Sequence, residues 1–300
     1  MFLPAELEFG LNMIRFAFAN EPLVVSPVSM IFALAMIRLG AKGPTRSQIN
    51  SVISRDASDD EIDDYYPSLY SHLQNASGGV KTNIANGFFL DKNFYIEKEY
   101  ERKIRKDYNA RVQALDFRMK EKTAKMEFMQ AFNVYRLYAE DDEIQVLSLQ
   151  YADTSYAFNI FLPKTRFDFS NMRWSLTAKQ IKELLSKLDQ TYMTIMIPKM
   201  KIETNLKLKE ILPSMGISNI FNHHADLSGI TQTTPLHISE VTHDAIIEVD
   251  EDGTTAAAAT KFKAEWKSLK VTVPIEFIAD HPFMFILTKD KNPLFMGQFL

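Results

Sequence analysis

Apolar residues recur at helical spacing through the first hundred positions and at strand spacing near the C-terminus. Within residues 5–19, Leu7, Leu11, Ile14, Phe16 and Phe18 mark an amphipathic to buried helix. Ser26-Pro27 opens a very apolar helix reaching about Leu39, with the proline suited to a first turn. Gly40 and Gly43 close that helix, and residues 45–52 read as a short one. The acidic stretch 59–64 opens another, because negative charge suits the positive end of a helix dipole. Tyr100, Ile104 and Tyr108 mark one face of a charged helix. Further helices are expected at 177–188 and 206–215.

Period-two patterns interleave with these. Residues 81–90 alternate as a strand, and 110–117 are strand-like. Two alternating runs between 144 and 162 flank Ala152-Asp153-Thr154 in the manner of a hairpin. The last sixty or so residues are rich in strands. Helices and strands mix without a βαβ rhythm, so the fold class is α+β with antiparallel pairing. No linker, low-complexity tract or repeat divides the chain, which favours one domain over 1–300.

One segment stands apart: Glu251-Asp-Gly-Thr-Thr-Ala-Ala-Ala-Ala-Thr260, followed by Lys261 to Ser268. Four alanines suggest helix on propensity alone. The positions instead alternate: Thr254, Ala256, Ala258, Thr260, Phe262, Ala264 and Trp266 form a small or apolar set. Thr255, Ala257, Ala259, Lys261, Lys263, Glu265 and Lys267 form a set that ends in charge. This is the pattern of a strand with one buried face. A purely solvent-exposed loop has no use for it.

Composition narrows the function classes. The 46% of hydrophobic residues supply a sizeable core, and the formal net charge of −4 favours neither nucleic acid nor an anionic membrane as partner. There are no cysteines, so disulfides, thiol catalysis and cysteine-ligated zinc are excluded. The N-terminus has no basic region and two early glutamates, which argues against a signal peptide. No apolar run has membrane-spanning length, and with neither signal peptide nor cysteines the expected compartment is the cytoplasm, with the extracellular space left open. No phosphate loop, His-Glu-x-x-His or Gly-x-Ser-x-Gly element is present. His223 and His224 are adjacent and share no face of a regular element, so no metal site is expected. Nothing calls for a cofactor, and nothing supports an enzyme.

Several segments, in order, resemble the serpin family. They include Leu23-Val-Val-Ser-Pro-Val-Ser29, Leu39-Gly-Ala-Lys-Gly-Pro-Thr45 and Asn83-Ile-Ala-Asn-Gly-Phe-Phe-Leu-Asp91. Gln145-Val-Leu-Ser-Leu-Gln-Tyr151, Phe161-Leu-Pro-Lys164 and Phe221-Asn-His-His-Ala-Asp-Leu-Ser-Gly229 continue the likeness. Ile238-Ser-Glu-Val-Thr-His-Asp-Ala245, His281-Pro-Phe-Met-Phe-Ile286 and Pro293-Leu-Phe-Met-Gly297 complete it. The wording of the last hundred residues is most like that of nematode intracellular serpins. The family's fold would supply mixed and antiparallel sheets, about eight helices, and an exposed reactive loop, here 251–274.

The resemblance implies a suicide-substrate inhibitor of a serine protease. In that mechanism the loop is cleaved, an acyl-enzyme forms, and the hinge inserts as a new strand before deacylation. The matching hinge residues are Glu251, Gly253, Thr254, Ala256, Ala257, Ala258, Ala259 and Thr260. At the family's usual spacing the scissile bond is Lys267-Ser268, and lysine there suits a trypsin-like enzyme. Cysteine proteases are allowed as targets, because the mechanism can also trap thioesters. Lys261, Lys263 and Lys270 are alternative cleavage points. Ser26, Ser29 and His243 match the family's structural gate beneath the sheet, with no catalytic part. The acidity of 59–64 argues against heparin at that helix, and a monomer is expected.

The chain also departs from the family. After Leu115-Asp-Phe117 a usual serpin continues into a long helix that covers the central sheet, then a central strand with a characteristic tryptophan. Here Phe117 passes directly to Arg118-Met-Lys-Glu-Lys-Thr-Ala-Lys-Met-Glu-Phe128. Trp174 and Trp266 are the only tryptophans, and neither fits that motif. An internal deletion at about 117/118 is inferred. It leaves two outcomes open: a working inhibitor, or a non-inhibitory binding protein whose central sheet lacks a strand.

Overall fold

The computed structural model describes residues 2–74, 96–108, 127–232, 235–239, 241–250 and 273–300. The chain divides into two compact units, Met1–Ala17, Val25–Glu121, Thr204–Ala245 and Phe18–Val24, Lys122–Glu203, Ile246–Leu300.

The first unit is largely helical. It contains α1 (Phe2–Phe16), α2 (Pro27–Gly40), α3 (Gly43–Ile53), α4 (Asp59–Gln74), α5 (Lys98–Tyr108) and the single turn α8 (Leu208–Ile211). Helix α2 is apolar on nearly all sides and buried on nearly all sides, as such a helix must be. Ser26 caps it, accepting from the Ser29 amide at 3.3 Å, and Pro27 occupies the first turn, where a missing N–H costs nothing. Helix α4 starts with a reciprocal box: the Ser58 amide donates to Glu61 at 2.8 Å, and the Glu61 amide donates to the Ser58 hydroxyl. Tyr100, Ile104 and Tyr108 of α5 are buried, as their spacing requires, and the Tyr100 hydroxyl donates to the Met36 carbonyl of α2 at 3.0 Å.

One charged side chain lies wholly inside this helical unit. Arg38, 1% exposed, reaches from α2 to Asn50 of α3 and to Asp59 and Asp63 of α4, so one guanidinium ties three helices. A carboxyl is also buried: Glu6 of α1 is fully inaccessible and faces the Tyr65 hydroxyl of α4. One helical turn before it, Phe2 stacks on Tyr65 of α4 with ring centres 3.8 Å apart.

The second unit is built on an eight-stranded sheet. Its order is β1 (Leu23–Val25), β10 (Asn292–Phe299), β9 (Phe283–Lys289), β4 (Tyr156–Pro163), β3 (Ile144–Gln150), β2 (Phe128–Glu140), β5 (Asp189–Pro198) and β8 (Ile275–Ile278). Neighbours from β10 to β5 run antiparallel, whereas β5 and β8 are parallel. The hairpin expected between 144 and 162 is β3–β4, and its turn carries Asp153 accepting from the Ser155 amide. Helices α6 (Phe169–Ser175) and α7 (Ala178–Ser186) belong to this unit. Gly297 sits where β10 passes β1, and a side chain there would overlap the Leu23 carbonyl and the Phe285 ring. The remaining strands, β6 (Met200–Lys207) and β7 (Thr242–Val249), pair as a two-stranded ribbon.

The eight α-helices among the described residues and the mixed sheet agree with the α+β serpin-like expectation. Three local readings differ. Helix α1 ends at Phe16, leaving Phe16 and Phe18 41% and 60% exposed rather than in the core. The helix expected at 206–215 is only the turn α8, because β6 runs to Lys207 and Pro213 follows soon after. Strands β1, β2, β5 and β6 and helix α6 have no counterpart among the elements expected from the sequence. The expected strands at 81–90 and 110–117 lie wholly outside the described residues.

Candidate functional site

Strand β7 ends at Val249, and β8 begins at Ile275. The segment carrying Glu251, Gly253, Thr254, Ala256, Ala257, Ala258, Ala259, Thr260, Lys267 and Ser268 connects these strands and lies outside the described residues. Its two anchors are described. β7 alternates without a break: Thr242, Asp244, Ile246 and Glu248 are exposed, while His243, Ala245, Ile247 and Val249 are buried. β6 mirrors it, with Met200, Ile202, Thr204 and Leu206 buried. The exposed face carries polar pairs, Lys201 with Glu248 at 2.9 Å and Asn205 with Asp244. Among the described residues β7 pairs with β6 alone.

The structure brings Ser26, Ser29 and His243 together. His243 comes from the buried face of β7, and its Nε2 accepts a hydrogen bond from the Ser26 backbone amide at 2.9 Å. The Ser26 hydroxyl caps α2 through the Ser29 amide. All three residues are buried. The serine side chain therefore serves its own helix, while its amide reaches the histidine. Because Nε2 is an acceptor here, the geometry requires a neutral ring. Burial pushes the His243 imidazole down to about 4, in the same direction. A protonated ring would present N–H to N–H inside the core.

No arrangement for chemistry on a substrate emerges among the described residues. His223 and His224 are exposed with ring centres 4.1 Å apart. No group of three or more potential ligands stands where it could hold a metal among these residues. No described helix is long and apolar enough to cross a membrane. The proximity of Ser26 and His243 was legible only through resemblance, since they are 217 positions apart. The Arg38 cluster and Glu6 carried no signal in the sequence reading.

The family model described as Serpin (serine protease inhibitor) matches residues 5–127 and 119–300. Ipis-1 of Ixodes persulcatus is 26% identical, covering 91% of this chain and 90% of its own length. Alpha-1-antiproteinase 2 of Equus caballus is 25% identical over 98% of this chain and 87% of its own. Among solved structures, the thermophilic serpin tengpin in the native state superposes with a TM-score of 0.81 at 22% identity, covering 100% of this chain and 94% of that one. Uncleaved ovalbumin does so at 0.79 and 19% identity, covering 99% of each chain. With nearly its whole length matched by one family model, the chain belongs to the serpin family.

Proposed function

We propose that this chain is a protease inhibitor that acts as a suicide substrate through residues 251–274, with Lys267-Ser268 as the bond presented to a trypsin-like serine protease. The observation that carries this reading is the run of small residues from Thr254 to Thr260, shortly after β7, continued by the alternation of apolar and charged residues from Lys261 to Lys267. Small side chains let a strand enter a sheet without bulky groups threading between its neighbours, and a strand-like period makes the inserted form competent to pair. The protease serine oxygen attacks the Lys267 carbonyl carbon. The bond to the Ser268 nitrogen breaks, that nitrogen leaves as an amine after gaining a proton, and Lys267 remains as an ester on the enzyme. Insertion of the hinge then outruns hydrolysis of that ester. Ser26, Ser29 and His243 act as the gate that holds α2 to the inner face of β7. The family match, which spans both compact units, supports a single functional domain over 1–300.

A second reading is favoured by a specific observation. The family match falls into two segments that meet at 119–127, and the alignment to Ipis-1 runs over 342 positions although this chain has 300 residues in all. Both support an internal deletion at about 117/118. On this reading the sheet has no slot to accept the hinge, and the chain binds without inhibiting. Incubation with trypsin separates the two. Inhibition gives a chain–protease complex that survives boiling in detergent, together with release of residues 268–300. Cleavage at the loop with no such complex, and no gain in thermal stability afterwards, establishes the non-inhibitory form. Papain alongside trypsin reads whether thioester intermediates are trapped as well.

A further inference from the structure

Strand β2 meets β5 along Phe128–Tyr138, but on its other edge β3 joins only at Leu137–Glu140. Among the described residues no strand covers that edge from Phe128 to Arg136. An uncovered edge is a template for another strand, and sheets commonly guard such edges with charge or proline. This edge carries aromatic side chains instead: Phe128, Phe132 and Tyr135 are 38%, 65% and 54% exposed. The Lys199 amide donates to the Glu127 carbonyl at 2.7 Å. By the alternation of an antiparallel ladder, Glu127, Met129 and Ala131 direct their backbone groups to β5, and Phe128 and Gln130 direct theirs to the open edge. Between Ala131 and Val134 the register slips by one, so beyond the slip Tyr135 takes the open-edge role.

The same slip decides the faces. Glu127, Met129, Val134 and Arg136 fall on the face shared with the buried Met193, Ile195 and Ile197 of β5. Phe128 and Tyr135 fall on the opposite face, where the Tyr135 ring lies 5.3 Å from that of Tyr192. The strand is therefore self-complementary about the point between Ala131 and Phe132. Antiparallel pairing with a second copy sets Glu127 opposite Arg136, Phe128 opposite Tyr135, Met129 opposite Val134 and Gln130 opposite Asn133, each pair recurring across the two-fold. The first three pairs join residues of one face, as opposed residues must be. Arg136 forms no ion pair among the described residues, and its guanidinium donates to the Tyr135 carbonyl. Glu127 pairs with Lys199 at 3.3 Å yet keeps 71% of its side chain exposed. At about 3.3 Å per residue, Glu127 and Arg136 of one chain stand about 30 Å apart on their strand. Only a second copy brings them together.

We propose that the open edge of β2 pairs with the same edge of a second copy, giving a two-fold dimer in place of the expected monomer. Sedimentation velocity of the full chain across a wide concentration range reads the association. The wild type shows a concentration-dependent equilibrium between monomer and dimer. Glu127→Arg and Arg136→Glu each weaken the dimer by about tenfold or more, because like charges then face each other twice per dimer. The double variant E127R/R136E returns to within about threefold of the wild type, a rescue that no contact inside one chain supplies. Phe128→Lys weakens the dimer as well, whereas Phe167→Lys, at an aromatic side chain 95% exposed elsewhere, behaves as the wild type. Thermal melts verify that each variant is folded. A wild type that stays monomeric throughout, as it would with another part of its own chain over the edge, overturns the proposal. So do single charge reversals without effect, a double variant no tighter than the single ones, or an equal loss in Phe167→Lys.

Discussion

Glu6 and His243 are predicted to make stability depend on pH in opposite directions across the same window. Glu6 is wholly buried, and burial pushes its carboxyl up to about 7 from an ordinary 4.5, with the nearby Tyr65 hydroxyl offsetting only part of the shift. His243 is pushed down to about 4 from an ordinary 6.5. Each tenfold change in proton affinity corresponds to about 1.4 kcal/mol, so each residue moves the folding free energy by about 3 kcal/mol. For Glu6 the folded chain binds the proton more tightly than the unfolded chain. Its contribution is therefore intact below 4.5 and is lost as the pH rises towards 7. For His243 the unfolded chain binds the proton more tightly, so its contribution is intact above 6.5 and is lost as the pH falls towards 4.

Between about 4.5 and 6.5 the two slopes cancel, and the wild type has a nearly flat profile from this pair. Urea unfolding at half-unit pH steps, repeated on Glu6→Gln and His243→Gln, separates them. Glu6→Gln gains about 3 kcal/mol between pH 4 and 6.5, because only the histidine remains to titrate. His243→Gln loses about 3 kcal/mol between 4.5 and 7. Each substitution also shifts its whole curve by a constant, which leaves the slope readable. Carboxylates held below their ordinary range by hydrogen bonds and ion pairs, such as Glu140 and Asp280, act mainly at more acid pH. Parallel profiles for the wild type and both variants refute the assignment. So does a slope of the wrong sign in either variant.

Two further substitutions test the packing. Arg38→Met removes the charge that joins α2 to Asp59 and Asp63 and leaves two neighbouring carboxylates to repel; a loss of about 3 kcal/mol in urea unfolding is expected, and a loss below about 1 contradicts the three-helix role. Gly297→Ala places a methyl against the Leu23 carbonyl, which belongs to backbone and cannot swing away; a lower melting temperature reflecting about 3 kcal/mol is expected, and an unchanged melt contradicts the close approach.

The helices that could be read from the sequence are those whose start and inner face are written locally. Ser26-Pro27 caps α2 with its own side chain, and Tyr100, Ile104 and Tyr108 keep one spacing throughout α5. Strand β2 was unreadable for a physical reason. Its pairing with β5 shifts between Ala131 and Val134, where Asn133 takes a positive φ of 56°, so the inward parity changes partway along. A scan for strict alternation loses such a strand. The exposure of Phe16 and Phe18 is likewise tertiary in origin. Past α1 the backbone is held by the Gln298 amide, which donates to the carbonyls of Phe18 and Glu21 at 3.2 and 2.9 Å. Nothing near residue 18 announces a partner in the last strand.

The same parity argument bears on the proposed hinge. In β7 the odd positions His243, Ala245, Ile247 and Val249 face inward. From Thr254 to Trp266 the small or apolar set falls on even positions. A straight prolongation of β7 would keep odd positions inward and would bury Lys261, Lys263 and Lys267. The pattern therefore does not encode 254–266 as a continuation of β7. It suits a separate strand with its own inward face. That is the strand an inserting loop would supply in the proposed mechanism. Whether β7 alone suffices as a partner is what decides between the inhibitor and the binder, and the trypsin experiment measures that directly.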